Sequence, residues 1–288
     1  MGAYWFKVEK DSQELFEEWT VYGQKFVRDR VGQEHYMYMD LSTFDVTPGL
    51  VFMDINHPLE GSPHPHQTAE EYIKRGCTLL LIQHLVSSIR HYREVYDSLL
   101  KKLEGLPLDY MIIPTVPAKI VRPEMVRYFA RKGCPFLCIE VNNVTDFAHV
   151  SWEWLAQAQG HKRIPLTIFV KDSENTNENY PELWSSLCNR YDIIRLTDLQ
   201  DDEVVSGQNL KDSGIFPHKG SFITGGQADY NLSLKQKVPL FDEQAKFRYH
   251  DAVPNVTVMN GKVKQVNQKV VDREPGSHLT VKVHKHFV

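Results

Sequence analysis

The stretch that most constrains this chain is residues 46–60, Val-Thr-Pro-Gly-Leu-Val-Phe-Met-Asp-Ile-Asn-His-Pro-Leu-Glu. Pro48 and Gly49 interrupt whatever precedes them, and the run 50–55 is apolar and bounded by turn formers, which predicts a buried strand. The pattern changes at this break. Before it, Tyr4, Phe6 and Val8 alternate, Trp19 and Val21 do the same, and Gly23 and Gly32 punctuate the segments, as in short antiparallel strands. After it, strand-like runs at 50–55, 78–84, 110–116, 136–141, 166–170 and 193–197 alternate with helical stretches at 68–75, 87–104, 124–132 and 182–189. In the second of these helices Ile89, Tyr92, Val95, Tyr96 and Leu99 share a face, and Pro123 stands before the third, as suits a first turn. Alternating strands and helices predict a parallel sheet covered by helices. Segment 171–181, rich in Asp, Asn, Ser and Glu, reads as a polar loop.

Composition narrows the class. The 288 residues suit one large domain or one domain with a satellite, and 42% hydrophobic residues exclude wholesale disorder. A net charge of −4, with no clustered basic face, argues against nucleic acid as a partner. No run approaches the roughly 18 apolar residues of a membrane span, so no membrane partner is expected. Met1–Lys7 lacks the layout of a signal peptide. Cys77, Cys134, Cys138 and Cys188 form none of the two-residue-spaced pairs of a structural zinc site, and a reducing, cytoplasmic setting is expected. A small-molecule ligand and assembly into a homo-oligomer stay open.

The break at Pro48-Gly49 resembles the point in the amidohydrolase superfamily where the chain leaves a small β-domain and enters the first barrel strand. The family writes Pro-Gly-Leu/Phe-Ile/Val-Asp-x-His-x-His there. Pro48, Gly49, Leu50 and Val51 match, whereas the two histidine positions hold Asp54 and Asn56. Residues 214–232 resemble the family's closing motif, Gly-Leu-x-Pro-x-Lys-Gly-x-Ile-x-x-Gly-x-x-Ala-Asp-x-x-Leu, with Pro217, Lys219, Gly220, Gly225, Ala228, Asp229 and Leu232 in place. On the residues themselves this stretch reads as a hairpin turning on Gly220 and Gly225-Gly226. Residues 256–263 resemble the family's returning strand pair, with Asn260-Gly261 as the tight turn. The resemblance implies an α/β fold: a TIM-like β/α barrel over 49–207, and a composite β-sandwich built from 1–48 and 208–288. A complete eight-stranded barrel takes about 250 residues. Six runs within 50–200 therefore predict a shortened, incomplete or differently closed barrel.

In a parallel barrel the chemistry gathers at the C-terminal strand ends. The polar residues expected there are Asp54 and Asn56, Gln83 and His84, Thr115 and Lys119, Glu140 and Asn142, Lys171 and Asp172, and Thr197 and Asp198. Family members use four histidines, a carboxylated lysine or glutamate, and an aspartate. By that resemblance Glu140 stands where some members carry a metal-bridging glutamate, and Asp198 resembles the final-strand aspartate that shuttles a proton; a helix cap is the alternative for Asp198. His84 is the best single imidazole candidate, beside the reading of a core histidine bonded to backbone. Asp54, Asn56, His84 and Glu140 would hold at most a single divalent ion, zinc or similar, and oxygen donors suit harder cations that activate water weakly. His57, Glu60, His64 and His66 lie in a Pro-rich loop, either as metal donors or, by preference, as solvated side chains. No nucleophile elbow, phosphate loop or dinucleotide fingerprint occurs. The implied function is that of a relative of hydrolases acting on non-peptide C–N bonds with its metal histidines largely replaced, and so a non-catalytic binding or regulatory homologue. The alternative is an active metal-dependent hydrolase of a cyclic amide with a reorganised site.

Overall fold

The computed structural model describes residues 3–10, 15–28, 36–55, 59–160, 162–171, 179–235 and 253–281. The strands before the break are β1 (Tyr4–Lys10), β2 (Leu15–Tyr22), β3 (Lys25–Val27), β4 (Met37–Tyr38) and β5 (Phe44–Pro48). There follow β6 (Leu50–Asp54), α1 (Pro65–Lys74), β7 (Cys77–Leu85), α2 (Tyr92–Lys102), β8 (Asp109–Pro117), α3 (Pro123–Lys132), β9 (Leu137–Val141), α4 (Trp152–Gln159), β10 (Leu166–Val170), α5 (Tyr180–Tyr191) and α6 (Gly207–Asp212). The chain ends on β11 (Tyr230–Leu234), β12 (Val256–Met259), β13 (Lys262–Val266) and β14 (Lys269–Val270).

The middle of the chain is a parallel sheet in the sequential order β6-β7-β8-β9-β10, curled into a half-barrel with helices outside. Alternation along each strand divides its side chains between two cores. Phe52, Leu80, Ile82, Ile112, Leu137 and Ile139 meet the helices. Val51, Met53, Leu79, Leu81, Met111, Ile113 and Cys138 face the inside of the curl, which Leu196, Val205, Leu210, Ile215 and Val281 fill. Pro65 and Pro123 sit in the first turns of α1 and α3, where a missing N–H costs nothing, and Gly133 at φ 75° closes α3 in the left-handed region.

The run 193–197, expected as a sixth strand, does not form one. It makes one isolated bridge, Arg195 to Leu166, with Leu166 N–H donating to Ile194 O at 2.9 Å and Leu196 N–H to Leu166 O at 2.9 Å. The chain then crosses to the opposite edge of the sheet. There Asp202 N–H donates to Met53 O at 2.9 Å, Met53 N–H to Glu203 O at 3.2 Å, and Val205 N–H to Val51 O at 2.8 Å. One irregular strap thus satisfies both sheet edges and takes the place of the missing strands. Two further differences concern helices. The second one starts at Tyr92 rather than at 87, because Ser88 Oγ accepts from Arg90 N–H at 3.2 Å and His91 N–H at 3.3 Å and holds 87–91 as turns. The short helices α4 and α6 lie outside the helical stretches expected from the sequence.

The two ends of the chain meet. β5 pairs antiparallel with β11 in the sheet β14-β13-β12-β11-β5, and β1–β4 form a second sheet in the order β3-β2-β1-β4. Phe6, Val21, Phe26 and Leu41 share a core with Ala228, Tyr230, Leu232 and Val258. The Asn260-Gly261 turn joins β12 to β13 with both residues at positive φ (54° and 73°), as the tight hairpin requires. Residues 214–229 form a succession of turns rather than the expected hairpin, and β11 begins only at Tyr230. Gly49 is the pivot between β5 and β6. Its N–H donates to Asp229 O at 3.0 Å, and a Cβ there would overlap the Thr78 side chain and stand 2.9 Å from Asp229 Cβ.

Beneath the sheet, at the N-terminal end of its strands, Lys219 is fully buried between two carboxylates. Its Nζ donates to Asp109 Oδ2 at 2.7 Å and to Asp229 Oδ2. The remaining lone pairs are taken by Asn260 N–H on Asp229 Oδ1 (2.7 Å), Asn260 Nδ2 on Asp109 Oδ2 (3.0 Å) and Ser277 N–H on Asp109 Oδ1 (2.7 Å). The segment 276–281 runs alongside, with Tyr110 N–H donating to Ser277 O at 3.1 Å and Leu279 N–H to Tyr110 O at 2.8 Å. Removing the cation leaves two buried charges facing each other, so Lys219→Met is expected to destabilise the fold by about 3–5 kcal/mol. Adding Asp229→Asn to Lys219→Met is expected to return part of that loss, which urea unfolding of both variants measures.

Candidate functional site

The open end of the half-barrel collects the polar residues that the strands place on its inner face. Gln83 at the end of β7 donates through Nε2 to Thr115 Oγ1 of β8 at 3.2 Å, and both are buried. Thr115 is the register partner of Cys138 on β9, and Glu140 lies two residues on, on the same face. Burial pushes the Cys138 thiol up to about 12, which keeps it protonated at neutral pH. Glu140 is 8% exposed, and Lys171, beyond the end of β10, brings Nζ to 3.7 Å from its Oε1.

A second carboxylate follows the same strand. Asp146 is buried, accepts Asn142 N–H at 2.9 Å, and lies 3.6 Å from Lys119 Nζ. Burial alone would raise its pKa. The backbone donor of Asn142, with Lys119 and the Asn143 backbone, outweighs burial and holds the carboxyl below the usual range. Asp146 did not stand out in the sequence; the signal was local, since Asn143 caps the 144–149 turn by accepting Asp146 N–H at 3.2 Å. The mouth therefore shows two carboxylates, each matched to a partly exposed lysine, beside an amide and a hydroxyl.

Asp54 and His84 lie elsewhere. On β6, Val51 and Met53 point inward, so Asp54 shares the helix-facing side with Phe52. Its Oδ2 accepts Leu59 N–H at 2.6 Å and its Oδ1 accepts the Tyr72 hydroxyl of α1 at 3.3 Å. It lines an open cleft of about 820 Å³ with Tyr72, Arg75, Asp201 and Asp202. Across this cleft Arg75 donates to Asp202 Oδ1 at 2.6 Å and lies over the Phe52 ring at 4.6 Å. Burial pushes the Asp54 carboxyl up to about 6, against the opposing pull of Leu59 N–H and the Tyr72 hydroxyl. His84, one residue beyond inward-facing Gln83, is fully buried on the helix side. Its Nδ1 is 3.2 Å from Glu60 Oε2 and its ring is edge-on to Tyr96 at 6.2 Å. The expectation of a core histidine bonded to backbone gives way to one bonded to a side-chain carboxylate.

Asp198 is exposed, at φ 56°, within the strap rather than at the end of a strand, and it caps no helix. The helix that follows is capped by Ser206, whose Oγ accepts Asn209 N–H at 3.2 Å. Asn56, His57 and Asp172 lie outside the described residues. His64 precedes α1 and His66 lies in its first turn, both exposed, and Glu60 is engaged by His84. Among the described residues no three His, Cys, Asp or Glu side chains converge as a metal ion would need. The single carboxylate donor of Glu140, already facing Lys171, does not make the three-ligand shell of a catalytic zinc site. The described donor set does not fit such an ion.

No family model and no curated protein matches the chain. Solved structures do. The fold is similar to that of D-hydantoinase from a Bacillus sp. AR9, at 10% identity over 98% of this chain and 100% of that one, with a TM-score of 0.53. It is also similar to atrazine chlorohydrolase TrzN from Arthrobacter aurescens TC1, complexed with zinc, at 13% identity over 93% and 96% of the chains, with a TM-score of 0.51. A triazine hydrolase from the same species gives 10% identity over 94% and 96%, and a TM-score of 0.51. At these identities the likeness is one of fold.

The Asp54 shift has a definite sign. Below about pH 4 the carboxyl is protonated in both folded and unfolded chains. Between pH 4 and 6 the unfolded chain releases the proton while the folded one keeps it, so stability falls as pH rises, by about 1.4 kcal/mol per unit of pKa difference. Asp54→Asn, neutral throughout, is expected to remove 1–3 kcal/mol, roughly, of that decline. Urea unfolding of wild type and variant at pH 4.5 and 6.5 gives the comparison, and parallel pH profiles would refute the assignment.

Proposed function

We propose that this chain is a non-catalytic relative of the amidohydrolases that binds a small neutral molecule with amide-like donors and acceptors at the inner mouth of its half-barrel. The proposal treats residues 1–48 with 208–288 as one composite β-unit and 49–207 as the ligand-bearing unit. The observation that supports it is the character of the mouth. Where the resemblance implies imidazoles around a metal, the inward strand ends carry Gln83, Thr115 and Glu140, with Lys171 across from the carboxylate. An amide side chain and a hydroxyl offer paired donor and acceptor positions, and Glu140 accepts from a ligand N–H. Such a set recognises a cyclic amide by hydrogen bonding, and among the described residues no cluster of metal donors stands beside it to activate a water.

The alternative, a hydrolase with a reorganised site using Asp54, Asn56, His84, Glu140 and Asp198 and one divalent ion, makes the opposite forecast in the same experiment. The natively purified protein is analysed for metal content and titrated with hydantoin and dihydrouracil, following both binding heat and ring opening. The expected result is saturable binding without turnover, weakened about tenfold in Glu140→Gln by loss of one charge-assisted hydrogen bond. Stoichiometric metal together with ring opening that Glu140→Gln abolishes would overturn the proposal in favour of the hydrolase.

A further inference from the structure

A second cleft, of about 510 Å³, lies on the helix side of the sheet where α2 and α3 begin. It is independent of the mouth, and three arginines line it: Arg90, Arg93 and Arg122. Their guanidinium groups are only partly engaged within the chain. Arg122 donates one nitrogen to Val121 O at 2.8 Å and to Lys119 O at 3.3 Å. Arg93 donates Nε to the Tyr92 hydroxyl at 3.1 Å and stacks over the Tyr92 and Tyr128 rings at 5.4 and 5.5 Å, which fixes its direction and leaves its terminal nitrogens free to donate. The side chain of Arg90 has no hydrogen-bond or ion-pair partner among the described residues, and only its backbone N–H is held, by Ser88.

Two acidic residues share the cleft. Glu94 is bonded to His91 Nδ1 at 3.0 Å, and Glu124 lies in the first turn of α3. Three arginines against two glutamates leave a net positive cleft. Its field is reinforced by the N-termini of two helices of 11 and 10 residues, neither of which has a side-chain cap. The remaining walls are apolar: Ile89, which is 45% exposed, and buried Tyr92 and Met125.

We propose that this cleft binds the phosphate group of a small phosphate ester, with the three arginines holding the oxygens and Ile89, Tyr92 and Met125 receiving the body of the molecule. A planar carboxylate is satisfied by one guanidinium fork, whereas three guanidinium groups, from the turn before α2, the first turn of α2 and the residue before α3, match a tetrahedral oxyanion with several charged oxygens. The exposed apolar wall beside the charges favours an ester over free phosphate.

The test uses the whole natively purified chain at constant ionic strength, titrated calorimetrically with inorganic phosphate, phenyl phosphate and citrate. Saturable binding is expected for both phosphates, tighter for phenyl phosphate, and weaker by about tenfold or more in Arg90→Gln/Arg122→Gln through loss of charge-assisted hydrogen bonds. Arg90→Gln alone, which removes no intramolecular side-chain bond, is expected to show a smaller loss in the same direction with an unchanged thermal melt. Arg190→Gln, on a distant helix, is the charge control. Absence of saturable phosphate binding, equal binding by the double variant, an equal loss in Arg190→Gln, or citrate binding as tightly as phenyl phosphate would each overturn the proposal.

Discussion

One buried ammonium group holds the two halves of this molecule in register. Lys219 arrives from the turns before β11 and Asp229 from the residue just before it, whereas Asp109 is the first residue of β8, so two segments far apart in sequence must be correctly placed before the charges can neutralise one another. The cost of burying them is high, and the geometry is correspondingly complete: Asn260 and Ser277 supply donors for the oxygens that Lys219 does not reach. Gly49 pivots against the same Asp229 through its backbone, which ties the entry into the parallel sheet to the triad. The base of the half-barrel is thereby closed, and the chemistry is left to the other end of the strands.

That other end is shaped by how the sheet edges are satisfied. Five parallel strands cannot close on themselves at the curvature of an eight-stranded barrel. Here the segment from 194 to 205 hydrogen-bonds first to the β10 edge and then to the β6 edge, removing both exposed edges without adding a strand. The strap places Leu196 and Val205 in the inner core, and its Asp201 accepts Ile55 N–H at 2.6 Å. An irregular closure of this kind suits a half-barrel filled by side chains, and it leaves Asp198 in solvent.

The period of two along the strands governs the distribution of polar groups. Neighbouring residues Gln83 and His84 go to opposite sides of the sheet, and Asp54 falls on the side away from Glu140. Residues adjacent at strand ends in sequence are therefore divided between an inner mouth of hydrogen-bonding groups and an outer layer of helix contacts. The outer layer is polar too, with Asp54 facing Tyr72 and the arginine-lined cleft opening between α2 and α3.

The sequence by itself determined the class of fold. The Pro48-Gly49 break, the alternation of strand and helix after it and the Asn260-Gly261 turn are local features whose conformational demands survive without any tertiary context. The strand positions of Asp54, Gln83, His84, Thr115 and Glu140 were equally legible, whereas Asp198 lies in the strap. Their facing was not, because the inward side of each strand is fixed by which partners fill the curl, and a shift of one residue reverses it. Only the tertiary structure decided that 193–197 is half of a strap, that Asp146 joins Glu140 among the buried carboxylates with a lysine opposite, and that Arg90, Arg93 and Arg122, from the starts of two helices, share a cleft. Each of these depends on distances between segments that sequence spacing does not encode.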